Sequence, residues 1–127
     1  MAKKEIKWRG KSLEEVKAMD LNEFTLLLPA RQRRSLKRGF TETQKILLKR
    51  IERGDKNIKT HCRNLIILPQ MLGQVLLVYS GKEFKAVRIE LEMVGRYLGE
   101  FVMTRNSVSH SAPGIGATKS SSAVSVK

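Results

Sequence analysis

The chain has 127 residues, of which 41% are hydrophobic, enough for one small globular core. Its 25 lysines and arginines against 12 acidic residues give a net charge of +13. This charge favours a polyanionic partner, because each phosphate that a basic side chain neutralises releases bound counterions. The apolar runs are too short to span a bilayer, and the basic start lacks the apolar region of a secretory signal. The chain has one cysteine, Cys62, which excludes an intrachain disulfide and indicates a reducing compartment.

The first thirty residues predict short helices. Ser12 and Glu15 have the spacing of a capping box, in which each side chain accepts a hydrogen bond from the other residue's backbone. Asp20 offers the start of a second helix, which ends before Pro29. Trp8 lies among basic residues, and the sequence leaves open whether its ring packs against the core or stacks on a nucleic-acid base.

The basic charge is concentrated between residues 31 and 63. This segment holds twelve basic and three acidic side chains, and the difference supplies nine of the thirteen net charges. A solvated helix face would interleave Lys with Glu, whereas here the signs are segregated. The pattern therefore indicates a nucleic-acid-binding surface.

Two helices are predicted within this basic segment. A basic turn or short helix covers Ala30 to Arg38, and the clearest helix runs from Thr41 to Arg53. Thr41 and Gln44 form a second capping box, and Gly54 suits the left-handed position after the last turn. Three apolar residues of this helix form a narrow stripe for the core: Leu47, Leu48 and Ile51. Three basic residues recur every four positions on another face, free to contact phosphates: Lys45, Lys49 and Arg53.

Beyond residue 64 the hydrophobic period becomes that of strands. Three are predicted, at Leu65–Leu68, Gln74–Tyr79 and Phe84–Ile89, and Ser80-Gly81 marks the turn between the last two. A short helix is predicted around Glu92 to Leu98, interrupted by Gly95 and stopped near Gly99. We therefore expect an α+β fold, with a small three-stranded sheet packed with a helix, a helical N-terminal extension and an extended basic C-terminal tail.

The tail is rich in Ser, Gly and Ala and predicts a flexible segment. Its stretch Pro113–Ser120, PGIGATKS, is similar to the nucleotide-binding loop G-x-x-x-x-G-K-[ST]. With Lys119 in register, the two required glycines fall on Pro113, which has no N–H to donate, and on Thr118. We therefore interpret Lys119 as a contact to RNA phosphate in an extended tail rather than to a nucleotide.

Candidate catalytic or metal-ligating residues are few. His61 and Cys62 are adjacent, but no further ligand stands at workable spacing. A nucleophilic Cys62 would also need a histidine and an orienting acid in space. We therefore expect no enzyme activity, cofactor, metal or small-molecule substrate, and no membrane partner.

Four segments, in order, resemble one family. Arg34–Phe40 resembles the SLKKGPF signature of the small-subunit ribosomal protein nineteen family, and Arg63–Gly73 is similar to its R-x-S-x-I-x-P-x-M-I-G segment. Tyr79–Lys82 is similar to its H-N-G-R/K turn, and Glu92–Phe101 to its E-M-V-G-H-K-L-G-E-F segment. The match covers about residues 33 to 112, and both chain ends resemble the archaeal and eukaryotic branch. Two departures are the missing proline after the SLKRG run and the pair Arg96-Tyr97 in place of His-Lys.

The resemblance implies a structural constituent of the cytoplasmic small ribosomal subunit, in whose head it binds small-subunit ribosomal RNA. It also implies small-subunit ribosomal protein thirteen and a large-subunit bridge as partners, and a tail that extends toward the decoding region and tRNA. The expected organisation is a helical N-terminal extension (1–32), a ribosomal RNA-binding α+β domain (33–104) and a flexible C-terminal tail (105–127).

Charge pattern and resemblance together predict eleven RNA-binding residues: Arg33, Arg34, Lys37, Arg38, Lys45, Lys49, Arg53, Arg63, Arg105, His110 and Lys119. The alternative is a free-standing nucleic-acid-binding regulator. Such a regulator would carry a recognition helix or a stacking platform with interleaved aromatic residues, and the 31–63 segment has only Phe40.

Overall fold

The computed structural model describes residues 4–111 and Gly114. Within them, four α-helices come first: α1 (Leu13–Ala18), α2 (Leu21–Leu27), α3 (Ala30–Lys37) and α4 (Glu42–Glu52). Three strands follow: β1 (Ile58–Thr60), β2 (Val75–Tyr79) and β3 (Phe84–Arg88). Three short 3-10 helices lie between and after the strands: Pro69–Met71, Leu91–Met93 and Leu98–Phe101. This arrangement confirms the predicted α+β fold class, and none of these described helices is long and apolar enough to cross a membrane.

The sheet is mixed, with β2 in the centre. β1 pairs with β2 in parallel, with Ile58 opposite Leu76, and β3 pairs with β2 antiparallel, with Phe84 opposite Tyr79. Side chains alternate between the two faces of a strand, so one face of the sheet is directed into the core and the other outward. The core face carries these buried residues: Ile58, Thr60, Leu76, Val78 and Val87.

One predicted strand is wrong. In the segment Leu65–Leu68 only Ile66 forms a bridge, to Tyr97, and the segment does not join the sheet. It pairs with the chain around residues 95–98 instead, and the Leu98 N–H donates to the Leu65 carbonyl at 2.8 Å. All four residues are buried, and a short apolar run does not reveal which backbone it pairs with.

The third strand of the sheet is instead β1, which the sequence pattern does not predict. It has three residues, and its central Lys59 is exposed. Three residues are too few to show the alternating pattern of a strand. The parallel pairing with β2 joins two segments that are far apart in the sequence, so neighbouring residues do not reveal it.

The predicted α-helix around Glu92 to Leu98 is wrong, because two 3-10 helices stand there instead, but the predicted interruption at Gly95 is present between them. Gly95 has a φ of +83°, which interrupts a right-handed helix. A Cβ at this position would lie 2.6 Å from Leu28 Cδ2, so the chain bends where its backbone packs closely against the end of α2.

Trp8 joins the N-terminal segment to the rest of the core. Its ring is buried, stacks on Phe24 with centroids 5.5 Å apart, and donates from Nε1 to the Val94 carbonyl at 2.9 Å. Val16 and Leu28 belong to the same apolar cluster as the sheet residues. Of the two roles left open for Trp8, the structure therefore shows core packing.

Both predicted capping boxes are present. At the start of α1, the Ser12 N–H donates to Glu15 Oε2 at 2.7 Å, and at the start of α4 the Thr41 N–H donates to Gln44 Oε1 at 3.1 Å. The first box uses a carboxylate and the second an amide. The hydrogen bond from the Ser12 backbone lowers the pKa of the Glu15 carboxyl group.

Acidification should therefore break the hydrogen bond between the Ser12 N–H and the Glu15 carboxylate, and it should leave the bond between the Thr41 N–H and the Gln44 amide in place. Because the pKa of Glu15 is depressed in the folded protein, its contribution is present above the ordinary carboxyl pKa and is lost as pH falls through the folded value. An NMR titration should show Glu15 and the Ser12 amide changing together below the ordinary pKa of Glu, while the Thr41 amide does not follow them. A Glu15 midpoint at or above the ordinary value would contradict this assignment.

Candidate nucleic-acid interface

The outer face of α3 carries a cluster of arginines. Arg31, Arg34 and Arg38 follow helical spacing and, with Ser35, line one shallow hollow. All three arginines are exposed, and none has an acidic side chain within 4 Å in residues 4–111. We call these three residues the α3 arginine face. It offers several donors in planar forks with no internal counter-ion, which suits phosphate oxygens.

Lys37 lies on the last turn of α3 and is exposed as well. It stands between the arginine face and the side of the helix that packs inward through Leu36. Lys37 therefore flanks the α3 arginine face, and the structure brings the predicted residues Arg34, Lys37 and Arg38 together on α3 and its C-cap.

Tyr97 links this helix to the C-terminal part of the core. Its hydroxyl lies 3.4 Å from Ser35 Oγ, and its backbone forms the bridge to Ile66. The neighbouring Arg96 is exposed and pairs with Glu100 at 3.8 Å. The two residues that depart from the family pattern thus have different surroundings: Tyr97 is half-buried beside α3, and Arg96 is at the surface.

The predicted basic row on α4 is exposed, but its members differ. Lys45 Nζ lies 2.9 Å from Glu42 Oε1, a solvent-exposed pair of the kind that contributes little to stability. Lys49 and Arg53 have no acidic partner within 4 Å in the part of the chain that the structure describes. The predicted apolar stripe of this helix is buried in the core. The helix therefore presents positive charge outward, as its sequence predicts.

Arg33, another predicted RNA-binding residue, is engaged inside the protein. Its Nη2 donates to the carbonyls of Leu26 at 3.1 Å and Leu28 at 3.0 Å. These carbonyls lie at the end of α2, where a cation satisfies free acceptors and opposes the helix dipole. Its Nε is buried and has no hydrogen-bond partner among the described residues. The structure thus gives Arg33 a role in ending α2, and its contact with RNA stays a prediction.

Arg63 makes more hydrogen bonds to the backbone than Arg33 does. Its Nη1 donates to the Tyr79 carbonyl at 2.8 Å, and its Nη2 donates to the carbonyls of Gly99 at 2.7 Å and Val102 at 2.5 Å. These bonds join the end of β2 to the last 3-10 helix. A Cβ on Gly99 would lie 2.8 Å from Arg63 Cβ, so glycine is required for this close approach. We call this set of bonds the Arg63 clamp, and the predicted RNA contact of Arg63 stays a prediction.

The remaining predicted RNA-binding residues lie C-terminal to the core. Arg105 and His110 are exposed, in a segment without regular secondary structure. Lys119 lies outside the described residues, as does most of the PGIGATKS stretch.

Arg31 was missed among the predicted RNA-binding residues, although it belongs to the α3 arginine face. Its separation from Arg34 and Arg38 by three and seven positions is the signal that could have found it. His61 and Cys62 do not form part of a metal cluster, since residues 4–111 contain no group of three or more potential ligands.

Comparison with known proteins agrees with the resemblance seen in the sequence. A family model described as Ribosomal protein S19 matches residues 34–110. The chain belongs to the ribosomal protein S19 family. It is 50% identical over 125 residues to small ribosomal subunit protein uS19 of Methanocella arvoryzae, covering 98% of this chain and 89% of the relative. It is 48% identical over 130 residues to uS19 of Saccharolobus solfataricus, covering 98% of this chain and 93% of the relative.

Membership in the S19 family confirms the prediction of a structural ribosomal protein rather than an enzyme. The two relatives are archaeal, in agreement with the branch that the N-terminal extension and the tail resemble. The family match begins at Arg34, within α3. It therefore includes most of the α3 arginine face, all of α4 and the Arg63 clamp.

The clamp and the arginine face should respond differently to alanine. Arg63→Ala should lower the free energy of unfolding by about 2–4 kcal/mol, because three partly buried carbonyls lose a charged donor. Arg34→Ala should change it by less than about 0.5 kcal/mol, because the side chain is exposed and has no acidic partner in the described chain. Urea denaturation of both variants measures the difference. Equal losses in the two variants would contradict the division of roles.

Proposed function

We propose that this protein is a structural component of the cytoplasmic small ribosomal subunit and binds small-subunit ribosomal RNA through the α3 arginine face. The observation that carries the proposal is the group of three exposed arginines, which have no acidic partners in the described chain. The protein that carries this group belongs to a ribosomal protein family. The names of the two relatives, which place them in the small ribosomal subunit, support the proposed location.

Binding by this face is charge neutralisation, without turnover. Each guanidinium can donate two parallel hydrogen bonds to one phosphate, which fixes the protein's orientation on the RNA. Base edges of duplex RNA are poorly accessible, so specificity in this account comes from the fit of the protein to a folded RNA surface. The exposed Lys37, Lys49 and Arg53 add charge at the side of the same helix and on α4.

The finer parts of the proposal rest on the family resemblance. They are a location in the subunit head, contacts with small-subunit ribosomal protein thirteen and a large-subunit bridge, and a tail that reaches toward the decoding region and tRNA. The exposed Arg105 and His110 follow Val102, the last buried core residue of the described chain, and this order supports a tail that begins near residue 105. We retain the proposed organisation into 1–32, 33–104 and 105–127.

Replacing Arg34, Lys37 and Arg38 by Ala should weaken binding to small-subunit ribosomal RNA and lower the slope of log affinity against log salt by about two units. The control is Lys4, Lys7 and Lys17 replaced by Ala, which removes the same charge from exposed positions in the N-terminal segment. Filter binding at several salt concentrations gives both slopes. The control should keep most of the wild-type slope, and equal slopes in the two triple variants would show that only net charge matters.

Deleting residues 113–127 should leave the fold intact and impair the assembled ribosome. The buried core described above ends at Val102, so the thermal unfolding midpoint of the truncated protein should equal that of the full chain. Translation by small subunits reconstituted with the truncated protein should be slower than with the full chain. A truncated protein that fails to fold would contradict this account of the tail.

A further inference from the structure

The outward face of the sheet carries an aromatic cluster that the functions above do not use. His61 follows β1, Tyr79 ends β2 and Phe84 begins β3. The ring centroids are 4.6 Å apart for His61 and Tyr79, 5.2 Å for His61 and Phe84, and 5.1 Å for Tyr79 and Phe84. Lys59 places its Nζ 5.4 Å from the centre of the Phe84 ring. We call these four residues the aromatic face.

The register of the sheet explains why the rings meet. Tyr79 and Phe84 are directly opposite in the antiparallel pair, so their side chains emerge on the same face. Lys59 lies on the neighbouring strand β1, and His61 stands two positions further along, which gives both side chains that direction as well. The face that they share is opposite to the one formed by Leu76 and other core residues.

The rings are accessible and are not part of the main core. His61 is exposed, while Tyr79 and Phe84 are half-buried, and none of the three belongs to the main apolar cluster. The Tyr79 hydroxyl donates to the Gly81 carbonyl at 2.9 Å, which holds that ring in place. A fixed aromatic surface that is open to solvent loses little conformational entropy when a flat partner stacks on it.

The charge around the rings indicates which flat partner fits. Lys59 is exposed and lies on the Phe84 ring, and Arg88 is exposed at the far end of β3. No acidic side chain lies within 4 Å of either cation in residues 4–111. Aromatic rings beside unpaired cations are the combination that binds unstacked nucleotides, since the rings contact the base and the cations contact its phosphate.

We propose that the aromatic face binds an unpaired base of ribosomal RNA by stacking, with Lys59 directed to the adjoining phosphate. This inference rests on the proposed function, because it requires that the protein binds ribosomal RNA. It adds a second contact of different chemistry. The α3 arginine face neutralises phosphates and depends strongly on salt, whereas stacking on the rings depends on the aromatic surface and weakly on salt.

The test uses Phe84→Leu and Tyr79→Leu in the full chain, which keep an apolar side chain but remove the ring. Binding to a transcribed archaeal small-subunit ribosomal RNA is measured over a range of salt. Each variant should bind about 5- to 100-fold more weakly than wild type, with an unchanged salt slope. Lys59→Ala should lower the slope by about one unit. Far-ultraviolet circular dichroism verifies that each variant is folded.

A second measurement uses the wild-type protein. Wild-type protein bound to the same RNA is irradiated at short wavelength, and mass spectrometry identifies the crosslinked peptides. A nucleotide attached at His61, Tyr79 or Phe84 supports the stacking contact. Crosslinks confined to other segments, together with wild-type affinity in the folded ring variants, would overturn it.

The outcomes separate this inference from the proposed function. If wild-type protein fails to bind the RNA, the proposed function itself is contradicted. If wild type binds and the ring variants bind equally well, only the aromatic face is contradicted. If the ring variants bind RNA normally but enter reconstituted small subunits poorly, the face contacts a neighbouring protein, and the assignment to a base is wrong.

Discussion

The arrangement of this protein depends on the hydrogen bonds of one guanidinium group. Arg63 lies between β1 and the buried segment that follows, and it donates to carbonyls at the end of β2 and in the last turns of the core. These carbonyls belong to residues 16, 36 and 39 positions further along the chain. Backbone bonds beside it, including the one from the Gly99 N–H to the Arg63 carbonyl at 2.8 Å, hold the same segments together. The clamp therefore fixes the point at which the chain leaves the core toward Arg105.

Five arginines divide into two groups that carry the same charge but differ in their hydrogen-bond partners. Arg33 donates from Nη2 to backbone carbonyls, Arg63 donates from both Nη1 and Nη2, and both residues stabilise the fold. Arg31, Arg34 and Arg38 are exposed and unpaired in the described chain, so they are free for phosphate. A guanidinium nitrogen that already donates to a carbonyl gains little from a phosphate, since the new bond replaces an existing one. The aromatic face would add a contact that is largely independent of charge, so the proposed RNA binding combines two kinds of interaction.

Sequence predicted the features that depend on neighbouring residues. Both capping boxes, the apolar stripe of α4 and the hairpin of β2 and β3 are encoded within a few positions, and the structure confirms them. Sequence failed where pairing joins distant segments. Leu65–Leu68 has the composition of a strand, but it pairs with residues near Tyr97, and β1 is defined only by its contact with β2. The role of Arg63 could not be predicted for the same reason, because its acceptors are brought to it by the fold. The aromatic face also arises from three separate segments.

A density map of the assembled small subunit, at a resolution that shows side chains, tests the central division between structural arginines and proposed RNA-binding arginines most directly. The account predicts phosphate oxygens within hydrogen-bond distance of Arg34 and Arg38, while Arg63 keeps its bonds to the carbonyls of Tyr79, Gly99 and Val102. A map in which Arg63 turns outward to a phosphate and the α3 arginine face contacts no RNA would contradict it.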